Sequence, residues 1–331
     1  MPRRVKYMIV TAMKNEGPYI LEWVAHHLAI GFKHFVVVTN DCDDGTTRIL
    51  DRLAELGHVT HLPNPKMLIR DRGAWQVMAL RYTRLLNIVR DAQWILHCDV
   101  DEFVQVQTEK ASLDCLLDTI GPTDVLSFTS IPFNSGDRKE LSDAPTVCQF
   151  TQNNKKYSGA KHAILNAVKT MYRNEIDFRV RRNHRPLLED FSQRGLIWRN
   201  GSGTVMNADF TDGSTKAMDA LTSVQFAQLN HYAIRSVASF LLKLDRGDVA
   251  GTDRLDKAQK YWNSYNTVGD DDCRWAQQSD ECASHYSSFM QDPELFELHE
   301  HARTVHKEKL ERILATEEGN KMARDLGYYQ T

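Results

Sequence analysis

The segment of this chain best suited to chemistry is Asp99-Val100-Asp101-Glu102-Phe103, which follows the apolar run Trp94-Ile95-Leu96-His97-Cys98. A short apolar run that ends in acidic residues reads as a buried strand delivering its charges where it leaves a sheet. On an extended chain residues i and i+2 share a side, so Asp99 and Asp101 are expected to point together. Two carboxylates on one side suit a hard divalent cation, Mn2+ or Mg2+, and leave coordination positions for water and the oxygens of a diphosphate. Such a cation would neutralise charge building on a departing nucleoside diphosphate, which is Lewis acid catalysis. An Asp-x-Asp alone is commoner in solvated loops; its place after a buried strand and before Glu-Phe makes it more specific.

The elements that must position this segment alternate in type. Tyr7 to Thr11 is an apolar run broken by Lys14-Asn15-Glu16-Gly17, a strand and its exit loop. Pro18 suits a first helical turn, and Ile20, Trp23, Val24, His27 and Leu28 fall at helical spacing before Gly31. His34 to Thr39 is continuously apolar and β-branched, as a strand covered on both faces is, and ends in the turn Asn40-Asp41-Cys42-Asp43-Asp44-Gly45. A helix over Ile49 to Leu56, a strand over Val59 to Leu62, a helix over Met78 to Val89 and the Trp94 to Cys98 strand complete the pattern. Alternation of this kind predicts an α/β fold with a mostly parallel, Rossmann-like central sheet flanked by helices. In such sheets ligands bind at the carboxyl ends of the strands, so the loops after the first, second and fourth strands are expected to line one cleft. Val125 to Thr129 is a further strand candidate, and the chain beyond Ser236 reads as helical, with one or two exposed helices over Leu295 to Leu326.

The order of these motifs resembles the family 2-like glycosyltransferases of the GT-A fold. The resemblance rests on Lys14-Asn15-Glu16, Glu22-Trp23 and His27 on the following helix, Asp44-Gly45-Thr46, Asp99 to Phe103, and Asn230-His231-Tyr232 with Arg235-Ser236, Phe240, Lys243 and Arg246-Gly247, over roughly residues 5 to 250. It implies a GT-A domain over 1–235, with a nucleotide-binding half (1–105) and an acceptor half (106–235), followed by a helical subdomain over 236–331. It implies an inverting, metal-dependent transferase that moves a sugar from a UDP- or GDP-sugar to a glycan, lipid or protein. Lys14, Asn15, Glu16, Asn40 and Asp41 would border the nucleoside, Asp99 and Asp101 would ligate the cation with His231 approaching from across the cleft, and Lys169 and Arg173 would meet phosphate or acceptor charge. Where relatives carry an acidic residue, asparagine and later a serine, this chain has Thr39, Asn40 and Cys42, which leaves Asp41 or Asp43 as substitutes. An inverting enzyme needs a carboxylate to take the acceptor's proton. The resemblance makes Glu189-Asp190 the first choice, because it follows the metal motif by about the distance at which related enzymes place their base, and Asp137 after Asn134-Ser135-Gly136 is the alternative.

The chain has 331 residues, 42% hydrophobic and 26% charged, enough to bury a large core. Its net charge of -3 gives no general attraction to nucleic acid or anionic lipid, although Arg179, Arg181, Arg182, His184 and Arg185 form a local basic cluster. Six cysteines without a C-x-x-C pair fit a reducing compartment. The amino terminus has too short an apolar run for a signal peptide, and no stretch approaches the roughly 18 apolar residues of a spanning helix. The expected location is cytoplasmic, with work at the inner face of a membrane left open. Phosphatases of the haloacid dehalogenase type also place Asp-x-Asp at a strand end, but they want Thr or Val where this chain has Phe103. Nucleotidyltransferases open with a Gly-rich loop that Lys14 to Gly17 is not. A non-catalytic nucleotide-sugar-binding protein is the remaining alternative. His27 is expected to be a packed core histidine, His26, His299, His301 and His306 to face solvent, and Trp262, Tyr265 and Trp275 to pack or to stack on a sugar.

Overall fold

A computed structural model describes residues 4–65, 75–153, 167–178, 182–188, 191–211, 223–247, 255–267, 269–271, 273 and 279–329. Its principal strands are β1 (Tyr7–Met13), β2 (His34–Thr39), β3 (Val59–Pro63), β4 (Trp94–His97), β5 (Glu102–Val106), β6 (Val125–Pro132), β7 (Val168–Arg173), β8 (Trp198–Asn200) and β9 (Ala227–His231). The principal helices are α1 (Gly17–Ala29), α2 (Thr46–Glu55), α3 (Trp75–Thr83), α4 (Leu113–Ile120), α5 (Val237–Arg246), α6 (Leu255–Tyr265), α7 (Asp280–Gln291), α8 (Pro293–Ala315) and α9 (Glu317–Asp325).

The sheet runs in the order β3-β2-β1-β4-β7-β6-β9-β5, with β8 beside the first half of β6. β1 to β4 are mutually parallel, and β6 and β9 run the same way, while β7 and β5 are antiparallel to their neighbours. Along β1 the side chains alternate between two cores. Tyr7 and Ile9 join the cluster that holds Trp23, Phe35 and Leu298, whereas Met8 and Val10 join one with Val36, Leu80 and Trp198. Both faces are therefore covered, which is why β1 and β2 read as unbroken apolar runs. Fully burying each of Ile20, Leu21, Trp23 and Val24 on α1 is worth about 1.5–3 kcal/mol against exposure.

The α/β expectation holds, and individual boundaries move. The helix expected from Met78 to Val89 stops at Thr83 and resumes only over Asn87–Arg90. Of the one or two helices expected over Leu295 to Leu326 the structure has two, split where Thr316 ends α8 and caps Gly319. Nor is that region simply exposed. α8 packs on α1 and α2, so His299 and His306 are buried, and His26 is buried against Val104; the expectation that these three face solvent is corrected. His27 lies in the core as expected. Trp262 and Tyr265 pack with Phe240, Val237 and Leu310, and Trp275 lies outside the described residues. No helix among the described residues is long and apolar enough to cross a membrane.

Asp44 holds three elements together. Its carboxylate accepts the Gly17 N–H at the start of α1 (3.0 Å), the Thr46 N–H at the start of α2 (3.0 Å) and Nε2 of His306 from α8 (2.8 Å). It thus supplies an anion to two helix amino termini that lack a side-chain cap of their own. The packing tolerates little else here: a Cβ on Gly17 would stand 2.6 Å from Cβ of Ala302, and Gly45 needs φ of 89°.

Burial alone would raise the Asp44 pKa, but the hydrogen bonds from His306 and Thr46 outweigh it and hold the carboxyl at about 2. A carboxyl depressed in the folded state stabilises fully above its unfolded value near 4, and that contribution fades as the pH falls towards 2. Asp44→Asn is expected to lower the unfolding free energy at pH 7 by roughly 2 kcal/mol. It should also flatten the acid limb between about pH 4 and 2, read by urea denaturation across that range; an unchanged acid limb would contradict this account.

Candidate functional site

All the parallel strands end at one edge of the sheet, and the residues with unusual backbone geometry gather there. Among the described residues, the non-glycine positions with positive φ are Asn15 (52°), Asp41 (42°), Asp137 (57°) and Arg235 (52°). They sit in the loops after β1, β2, β6 and β9 respectively. Strained backbone of this kind persists where a site demands it.

At β1 the Glu16 carboxylate, 3% exposed, pairs with Arg246 and lies 3.6 Å from Arg235. Arg246 also donates to the carbonyls of Lys14 (2.9 Å) and Asn15 (3.2 Å), and the Asn15 amide donates to Asp43 (2.6 Å). At β2, Asn40 is 4% exposed and both of its side-chain polar atoms lack a hydrogen-bond partner. Asp41 beside it is exposed.

At β4 the chain does not continue extended through Asp99 and Asp101. The Glu102 N–H bonds back to the Asp99 carbonyl (3.0 Å), closing a turn that reverses the chain into β5. The two carboxylates therefore diverge. Asp99 turns to Lys169 at the start of β7 (2.7 Å), Asn183 (3.3 Å) and Gln76 of α3 (2.8 Å). Asp101 turns to Lys243 of α5 (2.8 Å) and to Nε2 of His231 at the end of β9 (3.8 Å). The same-side expectation fails because it presumes a strand where the chain makes a turn. Among the described residues no three His, Cys, Asp or Glu side chains form a group able to hold a metal ion. Asp99, Asp101 and His231 as placed do not fit a single three-ligand cation site.

Electrostatics follow the pairing. Burial would raise Asp101, but Lys243, His231 and Arg235 hold its carboxyl well below the usual range. Burial acts likewise on Asp99, and Lys169 outweighs it. Glu102 differs: burial pushes it up to about 7, and Lys169, 2.9 Å away, offsets this only in part. Burial would lower Lys169, yet Asp99 and Glu102 raise it and keep the ammonium charged.

The remaining expected residues divide. Lys169 is brought to the cleft edge, but Arg173 is not: six residues of strand carry it to the opposite end of β7, beside Asp124 (3.3 Å) and over the Trp94 ring. Glu189 and Asp190, with Arg179 and Arg181, lie outside the described residues. Asp137 is exposed on the loop after β6. In the basic cluster, Arg185 donates to the Phe210 carbonyl and covers that ring, which is packing. The sequence passes over Ser239 and offers Lys243 and Arg246 only as part of the motif resemblance, with no role at the site; the three form one stripe of α5 at i, i+4 and i+7. Their signal was the helical spacing behind the Ser236 cap, whose side chain accepts the Ser239 N–H (3.2 Å).

Beside this edge a cavity of about 440 Å3, counting space open to solvent, is lined by Asn15, Glu16, Arg235, Lys243, Arg246 and Lys309 among others. Of its lining groups, four are basic side chains from the carboxyl-terminal half of the chain.

The model of glycosyltransferase family 92 matches residues 12–184, more than half of the chain. A rice (Oryza sativa subsp. japonica) protein described as a glycosyltransferase family 92 protein is 25% identical over 109 residues, which is 33% of this chain and 18% of the rice protein. The chain thus spans under a fifth of that relative's length. Among solved structures, S. aureus TarS 1–349 in complex with UDP is 16% identical over 51% of this chain and 47% of its own, with a TM-score of 0.31. TarS 1–349 alone is 12% identical over 98% and 89%, with a TM-score of 0.32. The motif resemblance points to family 2-like transferases, whereas the family matched is 92; glycosyl transfer is the activity both descriptions share. On the extent of that match, the chain belongs to glycosyltransferase family 92.

Proposed function

We propose that the chain transfers a sugar from a nucleotide-diphosphate donor bound at the carboxyl edge of β1, β2 and β4 to a hydroxyl of a glycan, lipid or protein, with inversion. The observation that carries this reading is the matched set of charges at this edge, some buried and some, like Asp99 and Lys243, about 30% exposed: Glu16 with Arg246, Asp99 and Glu102 with Lys169, and Asp101 with Lys243. A diphosphate leaving group gains charge as the glycosidic bond breaks, and fixed cations beside it stabilise that charge without reorganising. Lys243 and Arg246 line the neighbouring cavity and are the groups placed to meet it. The unpartnered amide of Asn40 is suited to a hydrogen-bonding ligand such as a nucleoside. The proton of the attacking hydroxyl would pass to a carboxylate, for which Asp137, Glu189 and Asp190 are the candidates.

The donor is tested by thermal shift with UDP, GDP and their sugars, each with and without manganese or magnesium. Selective stabilisation by one nucleotide identifies the base, and its dependence on the ion answers the expectation placed on Asp99, Asp101 and His231. Uridine diphosphate, bound in one of the TarS structures, is the first to try. Lys243→Met is expected to lower kcat/KM for donor hydrolysis by about 100-fold, the cost of removing one donor that acts on developing charge. Turnover equal to that of the parent enzyme would refute the role given to this ammonium.

Lys169 makes a separate prediction about stability. Its side chain is 1% exposed between two carboxylates, so Lys169→Met leaves Asp99 uncompensated and drives Glu102 to its protonated form, and is expected to cost about 3–5 kcal/mol in urea denaturation. Adding Asp99→Asn should recover part of that loss, because Asp99 is the carboxylate left charged once Lys169 is gone, whereas burial already favours the neutral form of Glu102; a double variant no more stable than the single one would count against the ion-pair account.

A further inference from the structure

A second cavity lies on the other side of Tyr19 from the one beside Glu16. It is an open recess of about 740 Å3, counting space open to solvent, between α1, the segment 140–150, the start of α5, and helices α7 and α8. The two cavities share Tyr19, Arg235, Ser239 and His306. Tyr19 forms the partition: its hydroxyl donates to Ser239 (3.2 Å), and its ring carries the Arg235 guanidinium at 3.6 Å.

We infer that this second cavity is the subsite for an uncharged sugar unit of the acceptor, an inference that rests on the donor reading given above. Three observations converge on it. The wall combines the rings of Tyr19, Phe150 and Tyr286 with the polar groups of Glu22, Ser236 and His299. A pyranose presents that pairing of demands, an apolar ring face and a rim of hydroxyls. Next, three side chains of the wall are more than nine-tenths buried and each keeps a nitrogen without a partner: Nε of Arg235, Nδ1 of His299 and Nδ1 of His306. Buried polar atoms left unpaired cost free energy unless a ligand or water satisfies them. Last, Arg235, where the two cavities meet, is held at φ of 52°, a strain of the sort that collects at binding sites.

The charges of the wall argue for a neutral ligand. Arg303 is paired with Asp143 and Glu300, and His306 with Asp44. Glu22 is turned to the Val147 N–H (3.2 Å). The wall therefore offers hydrogen bonds in both senses with no large surplus of either charge.

The test is saturation-transfer difference NMR with the methyl glycosides of glucose, galactose, mannose and N-acetylglucosamine, on the full chain and on Ala144→Trp. Ala144 lies exposed at the rim of the cavity, so an indole there fills the mouth without disturbing the core. At least one glycoside is expected to bind the parent protein, and Ala144→Trp is expected to weaken it by about tenfold or more while keeping the thermal shift given by the nucleotide. A nucleotide shift with no glycoside binding, or glycoside binding indifferent to Ala144→Trp, overturns the subsite and leaves the donor reading standing. Glycoside binding without any nucleotide shift overturns the donor reading, and with it the assignment of this cavity to an acceptor.

Discussion

Buried carboxylates at the end of a parallel sheet need cations within reach, and this constraint organises much of the molecule. Glu16, Asp101 and Glu102 are each under a tenth exposed, a state that an unpaired ionised carboxylate sustains only at a cost of several kcal/mol. Their partners come from distant chain positions: Lys169 from the antiparallel strand β7, Lys243 and Arg246 from α5, Arg235 from the turn before it. The sheet order serves this pairing. Inserting β7 antiparallel between β4 and β6 brings its first residues, not its last, to the carboxyl edge, so Lys169 arrives beside Asp99 and Arg173 is carried away.

The legible part of the fold was the part governed by period. Continuous apolar runs marked β1, β2 and β4, and 3.6-residue spacing marked α1 and α2, because in these elements the covered faces dictate residue type. Cleft placement followed from the same pattern: once the strands are parallel, the loops holding Asn15, Asn40 and Asp99 must share an edge. What stayed hidden depended on a single local choice. Whether Asp99 and Asp101 face the same way turns on one backbone hydrogen bond, from Glu102 to Asp99, and no composition or spacing rule reports it. His299 and His306 were misread for a different reason. A long helix rich in Glu, Lys and Arg reads as solvated, yet α8 lies against α1 and α2, and the buried stripe of Leu295, Leu298, His299, Ala302, His306 and Leu310 is diluted by the charges around it.

The carboxyl-terminal helices act on the site edge as well as on the core. They reach the edge at two points with different chemistry. From α5, Ser239, Lys243 and Arg246 contact Tyr19, Asp101 and Glu16. From α8, His306 contacts Asp44, which in turn caps α1 and α2. The loop after β1 is thereby held by α5, through Arg246 on Glu16 and on the carbonyls of Lys14 and Asn15, and the loop after β2 by α8, through His306 on Asp44. A loop carrying positive φ at Asn15 or Asp41 has no regular ladder of its own to hold it, and it keeps a single conformation only if its surroundings over-determine it. The helices supply that determination, and the same contacts that rigidify the edge also provide its cations. A change in α5 or α8 that leaves the sheet intact should therefore act on the edge loops and their charge pairing before it acts on the core.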